Sequence, residues 1–129
     1  MPLIVVDLIV GRSAEQIGAL LDGVHDAVVE AFGVPVRDRY QIVHEHDASR
    51  MVVQDTGLDI ERSPDVVVIQ VTSRSRSREQ KVALYRLVCE QLESRCGISA
   101  RDVMISVVDN GDEDWSFGLG RAQFLTGDL

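Results

Sequence analysis

RSAEQIGAL at residues 12–20 returns as RSREQKVAL at residues 76–84, and this return decides the fold. The offset between the two stretches is 64 positions. At the same offset, GVPVRD at residues 33–38 lies over GISARD at residues 97–102. A duplicated unit of this size is a supersecondary motif. The two halves of the chain are therefore expected to share one fold.

Each half is predicted to form a strand, a helix and a second strand. The segments LIVVDLIV and VVVIQVT are nearly continuous apolar runs, which are typical of strands covered on both faces. A serine followed three residues later by a glutamine begins each helix as a capping box, and a glycine stands where each helix should end. These residues are Ser13 with Gln16, Ser77 with Gln80, Gly33 and Gly97. The second strands are expected to begin near Tyr40 and Val103.

Two right-handed units of this kind build a four-stranded mixed sheet with two helices on one face, an α/β (α+β) architecture. Residues 1–129 are expected to form one domain, because a chain of this length buries one core. Repeat 1 covers about 2–45, repeat 2 about 65–108, and a C-terminal tail 109–129. The connection from Met51 to Pro64 is the place for a short hairpin.

The composition excludes several classes of partner. A formal net charge of −8 and an isoelectric point near 4.7 argue against nucleic acid and anionic membrane surfaces, which require basic footprints. The apolar runs of about seven or eight residues are too short to span a bilayer, and no charged leader precedes a cleavable segment. The protein is expected to be soluble and cytoplasmic.

One face of the predicted sheet lacks a cover, since two helices can pack on only one side. An exposed apolar face of this kind marks an interface. We therefore expect a symmetric homo-oligomer in which the sheets face one another.

Four chemical groups are predicted to converge at one edge of the sheet. Initiator methionine is generally removed when proline follows it, which would leave Pro2 with a free secondary amine. If the first and third strands are adjacent and antiparallel, Pro2 faces SRSRS at residues 73–77. Asp38 reaches the same edge, because the second strand runs parallel to the first. An amine, a carboxylate and two guanidiniums would then meet.

The two arginines of this edge are Arg74 and Arg76, which on an extended segment would project to one side. The helix beginning at Ser77 adds the positive end of its dipole. Guanidiniums bind carboxylates in fork geometry, so a small carboxylate is the expected guest. Arg12 occupies the repeat position of Arg76, whereas Arg74 has no arginine counterpart. The alternative interpretation is that Arg74 and Arg76, together with Arg78, form a run of solvated surface charges paired with acidic residues.

Asp38 also has two interpretations. Its repeat counterpart, Asp102, favours a structural role in a turn shared by both halves. A carboxylate beside the terminal amine would instead favour the cationic form of Pro2.

Three further motifs are interpreted as structural. Cys89 and Cys96 lie seven apart on one predicted helix, too far for a disulfide, and are expected to be reduced. His44 and His46 can share a strand face, but no third ligand is evident, so no metal site is expected. GLGR at residues 118–121 lacks the third glycine of a dinucleotide loop and is predicted to be a turn.

The proline after Met1, the doubled unit and the arginines after the third strand resemble the tautomerase superfamily, and within it the malonate semialdehyde decarboxylases. The likeness runs from PLIVVDLI through DAVVEAFGVP, DRYQ, DTGL and SREQK to DWSFGLGRAQFLTGDL. It implies a tautomerase-like fold, a homotrimer and no cofactor. It also implies a catalytic set and an apolar pocket wall. The catalytic set is Pro2, Asp38, Arg74 and Arg76, and the wall is Trp115, Phe117, Phe124 and Leu129.

The activity implied by the resemblance is decarboxylation of malonate semialdehyde, a small 3-oxo acid, to acetaldehyde and carbon dioxide. Pro2 can donate a hydrogen bond to the aldehyde or form an iminium with it, and the sequence does not choose between them. The arginines would orient the carboxylate, and an apolar wall would favour neutral carbon dioxide. Core packing or a trimer contact is the alternative role of the aromatic tail.

Two other functions remain open from the sequence. One is a different reaction of the same superfamily, tautomerisation or the hydration of a 3-haloacrylate, for which the carboxylates at residues 112–114 are candidates to activate water. The other is a cytokine-like binding protein without activity, for which a retained Met1 or a blocked terminus would be the sign.

Overall fold

The computed structural model describes residues 2–129 and shows two βαβ units followed by a tail. Repeat 1 consists of β1 (Leu3–Ile9), α1 (Ala14–Phe32) and β2 (Tyr40–His46). Repeat 2 consists of β3 (Val67–Arg74), α2 (Arg78–Cys96) and β4 (Val103–Asn110), and the tail holds the short α3 (Gln123–Thr126). Whether Met1 is retained is a question that lies outside the described residues.

The strand order is β2-β1-β3-β4, which confirms the predicted fold class. β1 runs parallel to β2 and antiparallel to β3, and β3 runs parallel to β4. Leu3 is paired with Tyr40 on one side and with Thr72 on the other. The start of β1 therefore lies beside the end of β3 and the start of β2.

Both helices begin and end where the sequence predicts. Ser13 and Gln16 exchange side-chain and backbone hydrogen bonds of 3.1 and 2.8 Å, and Ser77 and Gln80 do the same at 3.1 and 2.9 Å. Gly33 ends α1 in the left-handed conformation, with φ of 67°. These local bonds satisfy the amides that the first helical turn leaves unpaired.

The core lies between the two helices and one face of the sheet. Its buried side chains come from alternate strand positions and from one face of each helix. The central members are Ile4, Val6, Leu8, Leu20, Val24, Val28, Val67, Ile69, Val71, Leu84, Leu87, Val88 and Leu92. Cys89 and Cys96 are free thiols in half-buried positions, and burial raises the pKa of each.

The connection between the repeats does not form the hairpin predicted for it. Within residues 2–129, no strand lies between β2 and β3. Arg62 holds the connection instead, donating to the carbonyls of Gln54 (3.2 Å) and Arg101. These bonds tie the connection to the turn that precedes β4.

The face of the sheet opposite the helices is open in the single chain. Ile42 is 47% exposed and Met104 45% exposed. His44 and His46 of β2 both contact Asp7 of β1, whose carboxylate lies 3.2 Å from the His44 ring nitrogen and 2.7 Å from that of His46. Neither long helix of the described residues is apolar enough to cross a membrane.

Candidate active site

Arg74 and Arg76 line one cavity of about 370 Å³ at the edge where β3 ends. Ser75 and the start of the tail, residues 110–112, complete its lining. The two guanidiniums are thus brought together, but not by one extended strand, because β3 ends at Arg74. Different neighbours hold each of them.

Arg76 is held from the helix side of the sheet. Its Nε donates to the hydroxyl of Ser73 at 3.0 Å, and its Nη1 donates to the carbonyl of Phe32 at 3.3 Å. The guanidinium also lies 4.8 Å from the centre of the Phe32 ring. Burial lowers the pKa of Arg76 and the nearby charge of Arg74 lowers it further, while the carboxylates of Asp38 and Asp109 act in the opposite direction.

Arg74 is held from the tail. Its Nε lies 2.7 Å from a carboxylate oxygen of Asp112, and its guanidinium lies 4.2 Å from the centre of the Phe124 ring. Both members of the ion pair are about half exposed, so water competes for them. A carboxylate ligand entering the cavity would meet a guanidinium that still has donors to offer.

Pro2 and Asp38 lie at the same edge but are buried. Pro2 precedes the Leu3–Thr72 pair and is among the fully buried side chains. Asp38 is 6% exposed and lies in a turn, with its backbone N–H donating to Pro35 at 3.0 Å. Its charge acts on Arg76. Neither residue lines the arginine cavity.

The second repeat shows a different use of the same positions. Asp102 is 3% exposed and accepts hydrogen bonds from the N–H and the hydroxyl of Ser63, at 2.7 and 2.6 Å. Arg12 donates to the carbonyl of Asp65 at 2.7 Å. Both counterparts therefore fasten the connection between the repeats. The structural interpretation fits Asp102, whereas the charge of Asp38 acts on the Arg76 guanidinium.

The aromatic residues of the tail form one cluster around Phe117. The Phe117 ring centre lies 5.3 Å from that of Trp115, 5.5 Å from that of Phe124 and 5.6 Å from that of Tyr40. Arg74 covers Phe124 and thereby joins this cluster to the cavity. Leu129, the fourth predicted wall residue, is 60% exposed.

Sequence reasoning missed Ser73, Phe32 and Tyr40. It named Asp112 only among the carboxylates that could activate water, and not as the ion-pair partner of Arg74. Ser73 and Phe32 had a signal in the repeat, because their positions in the other half hold Ile9 and Cys96. The two halves therefore differ at these positions, and only the half that carries both arginines has the serine and the phenylalanine. The GLGR segment is a turn, as predicted, with Arg121 N–H 3.4 Å from the carbonyl of Gly118.

The fold and this edge define the chain as a member of the tautomerase family. Two family models, both described as tautomerase enzyme, match residues 38–118 and residues 2–59. A Bacillus subtilis (strain 168) protein, probable tautomerase YrdN, is 55% identical over the whole of both chains.

Two solved structures narrow the likeness to malonate semialdehyde decarboxylases. One, described as a structural basis for the decarboxylase and hydratase activities of that enzyme, is 55% identical, covers 98% of each chain and has a TM-score of 0.96. The other is FG41 malonate semialdehyde decarboxylase inhibited by 3-bromopropiolate, 44% identical with a TM-score of 0.94, covering 98% of this chain and 97% of that one. A fused 4-OT asymmetric trimer shares the fold with a TM-score of 0.77 at 25% identity, covering 96% of this chain and 98% of that one.

Proposed function

We propose that this enzyme converts malonate semialdehyde to acetaldehyde and carbon dioxide without a cofactor. The observation that carries the proposal is the pair Arg74 and Arg76 on one cavity at the edge where β1 begins. The likeness to two malonate semialdehyde decarboxylases over nearly the whole chain supports the same reaction. The curated relative supports only the broader class of tautomerase.

The reaction needs an acceptor for the electrons of the breaking bond. When the C–C bond to the carboxylate breaks, its electron pair moves toward the aldehyde and forms an enolate, which then takes a proton at carbon. A secondary amine at Pro2, once Met1 is removed, stabilises this charge as a cationic hydrogen-bond donor or as an iminium. The charge of Asp38 acts on Arg76. A carboxylate at this edge would also favour the cationic form of the Pro2 amine.

Arg74 and Arg76 contribute by orientation. A guanidinium that binds the carboxylate equally in the ground and transition states adds no rate. Holding the breaking bond perpendicular to the carbonyl plane, however, lets the developing charge flow into the aldehyde. The apolar wall around Phe117, next to Arg74, would favour neutral carbon dioxide over the carboxylate from which it forms.

The test measures acetaldehyde by reduction with NADH and alcohol dehydrogenase. Arg76→Ala is expected to lower kcat/KM by about 10- to 100-fold, because it removes a charged contact to the reacting group. Arg12→Ala removes the same side chain at the equivalent position of the other repeat and is the matched control. Equal loss in both variants, or no loss in either, would exclude the arginine cavity as the active site.

Intact mass measurement separates the two roles of Pro2. The mass of the purified chain shows whether Met1 is present. Borohydride added together with malonate semialdehyde reduces an iminium to a stable adduct on Pro2. An adduct that peptide mapping places on the nitrogen of Pro2 supports the iminium, while turnover without an adduct supports the hydrogen bond.

Hydration is a second candidate for this cavity. Asp112 places a carboxylate on the cavity wall, 2.7 Å from Arg74, where it could activate water for addition to an unsaturated acid such as a 3-haloacrylate. The similar decarboxylase is described with hydratase activity as well. Loss of hydration but not of decarboxylation in Asp112→Asn would assign this role to the carboxylate.

The open face of the sheet is proposed to be the contact between three copies of the chain. Exposed Ile42 and Met104 on that face support an interface, and the fused 4-OT neighbour is a trimer. We also propose that the protein is cytoplasmic and that its partner is a small 3-oxo acid substrate.

A further inference from the structure

Ser73 breaks an otherwise apolar row of side chains. The helix-facing positions of β3 are Val67, Ile69, Val71 and Ser73, and Ser73 is fully buried. A buried hydroxyl is unfavourable unless it forms a hydrogen bond. Here the partner is Nε of Arg76, at 3.0 Å.

The end of α1 supplies a second support for the same guanidinium. Phe32 is the last residue of α1, and its carbonyl accepts from Nη1 of Arg76 at 3.3 Å. The last carbonyls of a helix carry the negative end of its dipole and favour a nearby cation. α1 has no basic residue in its own last turn, whereas α2 has Arg95. Arg76, in the short segment between β3 and α2, therefore places a cation at the end of α1.

These two bonds decide which donors of Arg76 remain. A guanidinium has five N–H groups. Ser73 takes the one on Nε, and Phe32 takes one of the two on Nη1. Within residues 2–129, no hydrogen bond occupies the other three, which are one on Nη1 and two on Nη2.

The other repeat has the same arginine without these supports. Ile9 and Cys96 hold the positions of Ser73 and Phe32, and Arg12 donates to the carbonyl of Asp65 instead. The duplicated arginine alone therefore does not distinguish the two edges. The Ser73 hydroxyl and the Phe32 ring, which both contact Arg76, distinguish the edge that carries the cavity.

We propose that Ser73 is a positioning residue that fixes Arg76, with the end of α1, so that a substrate carboxylate is bound end-on by Nη1 and Nη2. This inference rests on the proposed function, because it deepens the role of Arg76. It places the orientation of the carboxylate under the control of a buried residue outside the cavity lining.

The test compares Ser73→Thr with Ser73→Val, which have nearly the same shape and differ in the hydroxyl. Both are β-branched and suit a strand. Ser73→Val is expected to have a kcat/KM about tenfold below that of Ser73→Thr, with kcat reduced as well as KM raised, because a bond to a charged group is lost. Equal kinetics in the two variants would overturn the proposal. If the branched side chains prevent folding, Ser73→Ala adds no bulk and is expected to show the same loss against wild type.

Binding of malonate separates this inference from the proposed reaction. Malonate carries the carboxylate but cannot react, and titration calorimetry is expected to give about tenfold weaker binding for Ser73→Val than for Ser73→Thr. If malonate affinity differs in this way but the wild-type protein forms no acetaldehyde, the proposed reaction is refuted and the positioning role of Ser73 is retained. Equal affinities, or no malonate binding by wild type, would overturn the positioning role.

Discussion

Asp38 and Asp102 provide a comparison in which one substitution affects function and its counterpart affects stability. Both carboxylates are buried, and both lie in the turn before the second strand of their repeat. Asp102 accepts two hydrogen bonds from Ser63, at 2.7 and 2.6 Å. Asp38 acts on Arg76 through its charge. The same change at the two positions should therefore have different consequences.

The size of the effect at Asp102 follows from its two bonds. Hydrogen bonds to a charged group contribute about 1.5–3 kcal/mol each. Ser63 is only half-buried, so water can replace part of what it loses. Asp102→Ala is expected to lower the free energy of unfolding by about 2–4 kcal/mol. Asp102→Asn keeps the shape and one acceptor oxygen for the Ser63 N–H, while the Ser63 hydroxyl would have to accept from the new amide N–H, so about 1 kcal/mol is expected.

The matched variant Asp38→Asn is expected to change stability by less than about 1 kcal/mol, because an isosteric amide keeps the packing. Its turnover should fall at least about tenfold, since the amide does not favour a cationic amine. Urea unfolding followed by circular dichroism, at one fixed protein concentration, and acetaldehyde formation per folded chain measure the two quantities. Equal turnover per folded chain in Asp38→Asn and Asp102→Asn would refute the division of roles, as would an Asp102→Ala variant as stable as wild type.

Three further predictions follow from other parts of the molecule. Phe117→Ala removes the centre of the aromatic cluster, with its three ring contacts, and is expected to cost about 1–3 kcal/mol in urea unfolding; it should also raise KM, because Phe124 beneath Arg74 loses its neighbour, and an unchanged KM would separate the cluster from the site. Ile42→Arg places a charge on the open sheet face and is expected to yield folded monomers in analytical ultracentrifugation, whereas an unchanged assembly would show that this face is not the interface. Burial raises the pKa of the Cys89 thiol above its ordinary value of 9.0, so at pH 8 this thiol should react with a chromogenic disulfide more slowly than free cysteine does, and an equal rate would contradict the burial. The stabilising effect of the neutral thiol should be complete below pH 9 and decline as the pH rises through the higher pKa of the folded state.

The elements of the fold were predictable because their signals are local. Ser13 and Gln16, like Ser77 and Gln80, interact within a single helical turn, so four residues suffice to locate each helix start. The pairing of β1 with β3 came from the repeat. The hairpin between Met51 and Pro64 was wrong because the connection has no counterpart in the repeat, and its fastening by Arg62 is not local.

The candidate site was predictable only in part. Arg74 and Arg76 could be identified from the sequence because they stand close together next to a helix start. The supports of Arg76 could not, since Phe32 is 44 residues away and its carbonyl meets the guanidinium only after α1 has packed on the sheet. Tyr40 joins Phe117 across an even longer stretch of sequence. Such contacts arise from tertiary packing, and a single sequence contains no periodic signal for them.

The central claim is that the nitrogen of Pro2 performs the reaction beside the arginine cavity. The most direct test compares two forms of the protein, distinguished by intact mass. One begins at Pro2, and the other carries an N-terminal extension that converts the same nitrogen into an amide. The proposed function predicts acetaldehyde formation by the first form and at least about a 100-fold loss in the second, since an amide can neither donate a proton nor form an iminium. Equal turnover by both forms, each folded and assembled alike, would contradict it.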